Sequence, residues 1–147
     1  MSIKWEKEWD RIYKEQGKVQ SEILPIVRIA VNIFKKFGCK KIMDLGCGTG
    51  RHSIYMAEQG FEVYATDISE TGLEITRSKA RKLNLNNIIF KQHDMRKMPY
   101  DNNSFDGILC VWTTGHGTLE DSRKNVNEIY RVLKPNGVVV IDYVSTL

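Results

Sequence analysis

The stretch that decides the fold is Lys41-Ile42-Met43-Asp44-Leu45-Gly46-Cys47-Gly48-Thr49-Gly50-Arg51: an apolar strand, three alternate glycines and the start of a helical period. Without Cβ atoms the glycines permit a tight turn and let the main chain approach a ligand closely. A helix that begins directly behind them presents free N–H groups to a partly negative group. Such a loop suits a carboxylate or a phosphate.

Outward from this loop, short apolar runs alternate with helical periods. Residues 41–45, 62–66, 87–92, 105–112 and 137–143 read as five strands. Between them, residues 51–59 form a short helix, residues 69–84 place Leu73, Thr76, Ala80 and Leu83 on one side, and residues 120–133 do the same with Val126, Ile129, Tyr130 and Leu133. Lys134-Pro135-Asn136-Gly137 breaks the last of these helices. Strand alternating with helix requires parallel strands joined by right-handed crossovers, so the expected class is α/β, a doubly wound, Rossmann-like, mostly parallel sheet of about five strands with helices on both faces. Ligands in such sheets bind beyond the carboxyl ends of the strands, where the strand order reverses.

Upstream lie two further helices. Residues 21–37 are capped by Ser21, tolerate Pro25 in the first turn, align Leu24, Val27, Val31 and Phe34, and stop at Gly38. Trp5, Trp9, Ile12 and Tyr13 recur at helical spacing in a segment ending near Gly17. Packing on the core is the first expectation for this aromatic face; a lid over the ligand is the second. One domain over residues 1–147 is expected, with N-terminal helices at 1–37 and the α/β core at 38–147.

The 147 residues carry 41% hydrophobic side chains and a formal charge of +4, with no continuous basic stripe interleaved with aromatics, so nucleic-acid binding is not expected. Cys39, Cys47 and Cys110 are odd in number and lack metal-ligand spacing, which argues against a disulfide framework and against a zinc site. The charged N-terminus has no apolar signal core and no run is long enough to span a bilayer, so a cytoplasmic protein with no membrane partner is expected.

The glycine spacing separates two cofactor classes. Dinucleotide binders prefer GxGxxG, whereas here the third glycine comes one residue early as GxGxG and Arg51 stands where that pattern wants glycine. The run Asp44-Leu45-Gly46-Cys47-Gly48-Thr49-Gly50 resembles instead the glycine-rich motif of class I S-adenosylmethionine-dependent methyltransferases. That resemblance implies S-adenosyl-L-methionine as cofactor, with Asp44, Leu45, Gly46, Cys47, Gly48 and Gly50 around its methionyl end. It extends in order through the chain. Asp67 closes the second strand where the family has an acid that accepts from both ribose hydroxyls, with Ile68 beside the adenine. Asp94 and Met95 end the third strand where the family receives the adenine amino group and sandwiches the ring, with His93 as a bystander. Val111 ends the fourth strand, beneath the sulfonium. Residues 127–137 resemble the family's helix and turn into strand five, with Arg131 in a structural ion pair. Aromatic N-terminal segments in the family point to Tyr13 as a closure over the methionyl end.

What the resemblance implies for activity is methyl transfer to an unidentified small-molecule acceptor. His116, in the loop Thr113-Thr114-Gly115-His116-Gly117-Thr118, is the one candidate base, although a lone loop histidine with no assignable carboxylate partner is more often structural. Complete family members usually continue after strand five with a helix and two more strands, so the sheet is expected to be truncated relative to the seven-stranded core and to expose a strand-five edge that would pair a second copy in a homodimer. Two alternatives stand beside the enzyme: a catalytically idle S-adenosylmethionine-binding module or regulatory partner subunit, and a nicotinamide oxidoreductase, which the glycine spacing disfavours.

Overall fold

A computed structural model describes residues 2–16, 22–114 and 116–143. The elements run α1 (Ser2–Gln16), α2 (Pro25–Lys36), β1 (Lys41–Leu45), α3 (Arg51–Glu58), β2 (Glu62–Asp67), α4 (Glu70–Lys82), β3 (Ile88–Gln92), β4 (Phe105–Cys110), α5 (Leu119–Val132) and β5 (Leu133–Ile141). The five strands form one sheet in the order β3-β2-β1-β4-β5, and every pairing is parallel. The expected cap Ser21 and stop Gly17 lie outside the described residues; the structure starts α2 at Pro25, whose missing N–H costs nothing in a first turn.

β1 is the central strand. It pairs with β2 on one side, Ile42 opposite Val63, and with β4 on the other, Ile42 opposite Gly107. Chain order therefore reverses between β1 and β4, and the crevice beyond their carboxyl ends is where Gly46 and Thr113 meet. Two apolar layers hold the sheet. One gathers Val27, Val31, Phe34, Met56, Val63 and Leu73 beneath α2, α3 and α4; the other gathers Met43, Met98, Phe105, Ile108, Ile129 and Val132 beneath α5. No helix among the described residues is long and apolar enough to cross a membrane.

Several sequence expectations shift. Leu83 is exposed, because α4 ends at Lys82 and leaves it beyond the packed face. The inner face of α5 is Asn125, Ile129 and Val132, whereas Val126 and Tyr130 are exposed, the latter 84%. Counting apolar residues alone passes over the asparagine and so rotates the helix. β4 stops at Cys110: Trp112 takes a left-handed φ of +59°, and its N–H leaves the ladder for the Asp142 carboxylate at 2.8 Å. β5 begins earlier than expected, since Leu133 already pairs with Phe105 before the chain bulges and rejoins at Val138 opposite Gly107. Arg131 does form the expected structural pair, to Glu128 at 2.6 Å, and also donates to the carbonyls of Tyr100 and Met98.

Candidate functional site

The glycine loop turns sharply out of β1. Gly46, Gly48 and Gly50 all have left-handed φ, of +75°, +58° and +90°. A Cβ on Gly46 would collide with the Thr113 side chain, whose Oγ1 donates to the Leu45 carbonyl at 3.2 Å. Across the other seam, the N–H groups of Gly46 and Cys47 both donate to the Thr66 carbonyl of β2, at 2.9 and 2.8 Å. The loop backbone is thus pinned between the ends of β2 and β4.

Asp67 joins the same loop. One carboxylate oxygen accepts from Gly48 N–H at 2.8 Å and the other from Ser69 N–H at 2.9 Å. Burial pushes its pKa up to about 6, against the lowering effect of those bonds. A carboxylate has about four acceptor positions; the backbone of Ile68 takes a third, so one stays open while the group lines the cleft. Asp44 lies behind the loop. It accepts from the Ser53 hydroxyl at 2.6 Å and from the Ser53 backbone, which ties the first turn of α3 to β1. Burial, reinforced by Asp67, pushes Asp44 up to about 7.

Beyond the strand ends opens a cleft of about 840 Å³, part of it open to solvent. Of the residues expected from sequence, it brings together Tyr13, Leu45, Gly46, Asp67, Ile68, Met95 and His116. Asp44, Cys47, Gly48, Gly50, Asp94 and Val111 do not line it. Gly48 and Gly50 shape the loop, Cys47 and Val111 are buried, and burial with the nearby carboxylates Asp67 and Asp44 pushes the Cys47 thiol well above its usual range. Asp94 is held by Arg96, whose Nε and Nη2 reach its two oxygens at 2.6–3.2 Å. Burial raises the Asp94 carboxyl, and the bonds to Arg96 more than offset this, leaving it below its usual range. Arg96 then donates through Nη1 to Asp121 at 2.8 Å, on the first turn of α5, where Asp121 and Thr118 form a capping box. The backbone of Thr118 and the Arg96 guanidinium hold Asp121 down, to about 2.

α1 covers the cleft instead of the core. Trp5, Trp9 and Tyr13 all line it, which reverses the first expectation for this face. The helix is fastened to α4 by Asp10, which accepts from the Ser69 hydroxyl and from Thr71 N–H. The Tyr13 hydroxyl lies 3.1 Å from where a Gly48 Cβ would stand, and its ring stacks on Trp9 at 5.6 Å. Burial and the neighbouring Asp67 push the phenol far above its ordinary range, so it remains a protonated donor. His116 packs edge to face on Trp9 at 5.1 Å.

His93, expected as a bystander, lines the cleft with its ring edge to face against Tyr100. Arg96, Trp112, Asp121, Ser122 and Asn125 are further wall residues that sequence reasoning did not assign. A polar residue on the inner stripe of an amphipathic helix was the available signal for Asn125, and the Thr118-x-x-Asp121 capping pattern for Asp121.

Comparison with known proteins agrees with this geometry. A family model described as a methyltransferase domain matches residues 42–137. A glycine/sarcosine N-methyltransferase of Parasynechococcus marenigrum is 30% identical over 139 residues, 92% of this chain and 47% of that protein. A demethylmenaquinone methyltransferase of Clavibacter sepedonicus is 36% identical over 107 residues, 73% of this chain and 42% of that protein. The crystal structure of an S-adenosylmethionine-dependent methyltransferase from Aquifex aeolicus superposes with a TM-score of 0.66 at 26% identity, covering 86% of this chain and 68% of that one. The chain spans about half the length of the curated relatives it matches. The matched span runs from β1 into β5 and contains the glycine loop and Asp67 in their expected order, so this chain belongs to the class I S-adenosylmethionine-dependent methyltransferase family.

Proposed function

We propose that this chain binds S-adenosylmethionine in the cleft between α1 and the carboxyl ends of the strands, and that it transfers the methyl group to a small-molecule acceptor. The observation that carries the reading is Asp67, a buried carboxylate bonded to the glycine loop and lining the cleft. The residues fit the cofactor: the loop approaches the cleft without side chains at Gly46 and Gly48, where a Cβ would meet Thr113 or Tyr13.

Asp67 would accept from the two ribose hydroxyls, with Ile68 and Met95 against the adenine. Asp94, off the cleft and with both oxygens taken up by Arg96, would hold Arg96 at the cleft wall and not meet the adenine amino group itself. Tyr13 would close the methionyl end as a donor, and the α3 N-terminus behind Gly50 would favour the carboxylate. When bound, the cofactor supplies a methyl group already activated by its sulfonium. The protein's part is to hold an acceptor in line and exclude water, which the aromatic cover of Trp5 and Trp9 serves. His116, which lines the cleft, would take a proton from an oxygen or nitrogen acceptor. The outer edge of β5, unpaired among the described residues, would accommodate a second copy, and light scattering on the purified chain would read that homodimer.

Methyl transfer from labelled S-adenosylmethionine into candidate small molecules tests the reading. Label transfer that disappears in Asp67→Ala supports it. Tight cofactor binding with no transfer to any acceptor would give the idle module instead.

A further inference from the structure

Besides Asp67 and Ile68, the cleft is lined by the rings of Trp5, Trp9 and His116 and by Asn125 of α5. Asn125 is 1% exposed on the inner face of α5, lines the cleft, and among the described residues has no nitrogen or oxygen partner for either Oδ1 or Nδ2. The Cys110 thiol lies against it, but a thiol is a weak donor and a weak acceptor and does not satisfy an amide that offers one acceptor and two donors. Buried polar groups in folded proteins are nearly always paired, so an amide left open at the wall of a cleft points to a ligand. Its neighbours on the same helix face, Ile129 and Val132, are ordinary core residues, and nothing in the packing of α5 requires an amide at position 125.

The charge of the cleft narrows the ligand. Asp67 and Asp121 line it against the single lining guanidinium of Arg96, and that guanidinium is bonded to Asp94 through Nε and Nη2 and to Asp121 through Nη1. Among the described lining residues there is no further Lys or Arg to meet an acceptor's carboxylate or phosphate. An anion here would face net negative charge with no counterion. The walls favour a flat molecule, since Trp5, Trp9 and His116 present ring faces and edges, with Trp9 and His116 at 82° to one another.

Resting on the methyltransferase reading above, we propose that the acceptor is an uncharged, planar molecule bearing a hydroxyl or amino group, held among Trp5, Trp9 and His116, with the Asn125 amide bonded to that polar group. Asn125 is then the residue that selects the acceptor, and it acts by binding.

Calorimetry on the full chain saturated with S-adenosylhomocysteine tests this with three matched probes at neutral pH: 2-naphthol, naphthalene and 2-naphthoate. The expected result is that 2-naphthol binds about tenfold or more tighter than either of the others. In Asn125→Leu, which keeps the branched side-chain shape but removes the amide, 2-naphthol falls to the affinity of naphthalene while S-adenosylhomocysteine affinity stays unchanged. Equal or tighter binding of 2-naphthoate, no binding of 2-naphthol, or an unaltered 2-naphthol affinity in the variant overturns the proposal. The wild-type comparison of naphthol with naphthoate needs no variant, so a poorly folding Asn125→Leu leaves the test intact. Failure of S-adenosylhomocysteine itself to bind overturns the cofactor reading and this one together; its binding without a naphthol preference overturns the acceptor class alone.

Discussion

The Asp67 carboxylate at the end of β2 accepts a 2.8 Å hydrogen bond from the N–H of Gly48, nineteen residues earlier in the loop after β1. Two motifs separated in sequence are thus one unit: the acid that would read the ribose also orders the backbone that would cradle the methionyl end. A substitution at Asp67 would therefore remove the proposed ligand contact and loosen the loop together.

This coupling sets a pH dependence for binding. Free Asp67 sits at about 6, raised by burial, and a ligand that donates hydroxyl protons to it favours the ionised form. Affinity for S-adenosylhomocysteine should rise as pH increases through that value, by about tenfold between pH ~5 and ~7, and level off above. Calorimetry across this range should find the slope in wild type and a flat profile in Asp67→Asn. A flat wild-type profile would show that the carboxylate does not meet the ligand.

Stability of the free chain should run the opposite way over the same window. Asp44 is raised from 3.8 to about 7 and Asp67 to about 6, both chiefly by burial. Between those values and 3.8 the folded state keeps protons that the unfolded chain has released; buried His52, lowered to about 4, and His93, also lowered, oppose this over part of the range, and the two carboxyls outweigh them, so stability falls as pH rises from about 4 to about 7. Below pH ~4 the lowered carboxyls Asp94, Asp106 and Asp121 give the reverse slope, their stabilisation being lost as pH falls. The thermal midpoint should therefore peak near pH 4 to 5, and Asp44→Asn should flatten the decline above the peak. A midpoint that climbs steadily from pH ~4 to ~7 would contradict the burial argument.

Gly46 is a position where alanine is doubly penalised. Its φ of +75° is unfavourable for a side chain, and the Cβ would run into Thr113. Gly46→Ala should lose about 1–3 kcal/mol of stability by urea denaturation and most of the cofactor affinity. Adding Thr113→Ala removes the collision but not the backbone strain, so the double variant should recover part of the loss. A Gly46→Ala chain as stable as wild type would mean the loop does not hold this geometry.

Tyr13 tests the cover. Its phenol stands beside Gly48 and its ring on Trp9, so Tyr13→Ala should weaken S-adenosylhomocysteine about tenfold and Tyr13→Phe by less, the difference reporting the hydroxyl. Unchanged affinity in both variants would reduce α1 to a packing element.

The strands, the glycine loop and Asp67 were legible in the sequence because each is a local pattern: apolar runs of strand length, glycines at positions of left-handed φ, and an acid directly behind a strand. The face that α1 presents was legible, but its destination was not, since an aromatic stripe looks the same whether it meets a core or a cleft. What periodicity hid was long-range pairing. Arg96 links Asp94 on one loop to Asp121 on α5, twenty-five residues away, and no local spacing announces that bridge. The left-handed turn at Trp112 was hidden for a related reason, because it is imposed by the Asp142 carboxylate from the far end of β5. Asn125 was passed over because an apolar count skips a polar residue on an inner stripe.

The most direct test of the central claim is a calorimetric titration of S-adenosylhomocysteine, with NAD as the control ligand, onto the wild-type chain and onto Asp67→Ala. The predicted result is one molecule of S-adenosylhomocysteine bound per chain, no measurable NAD binding, and an affinity reduced about tenfold or more in a folded Asp67→Ala. Preference for NAD, or equal S-adenosylhomocysteine affinity in the two chains, would contradict the assignment of this cleft.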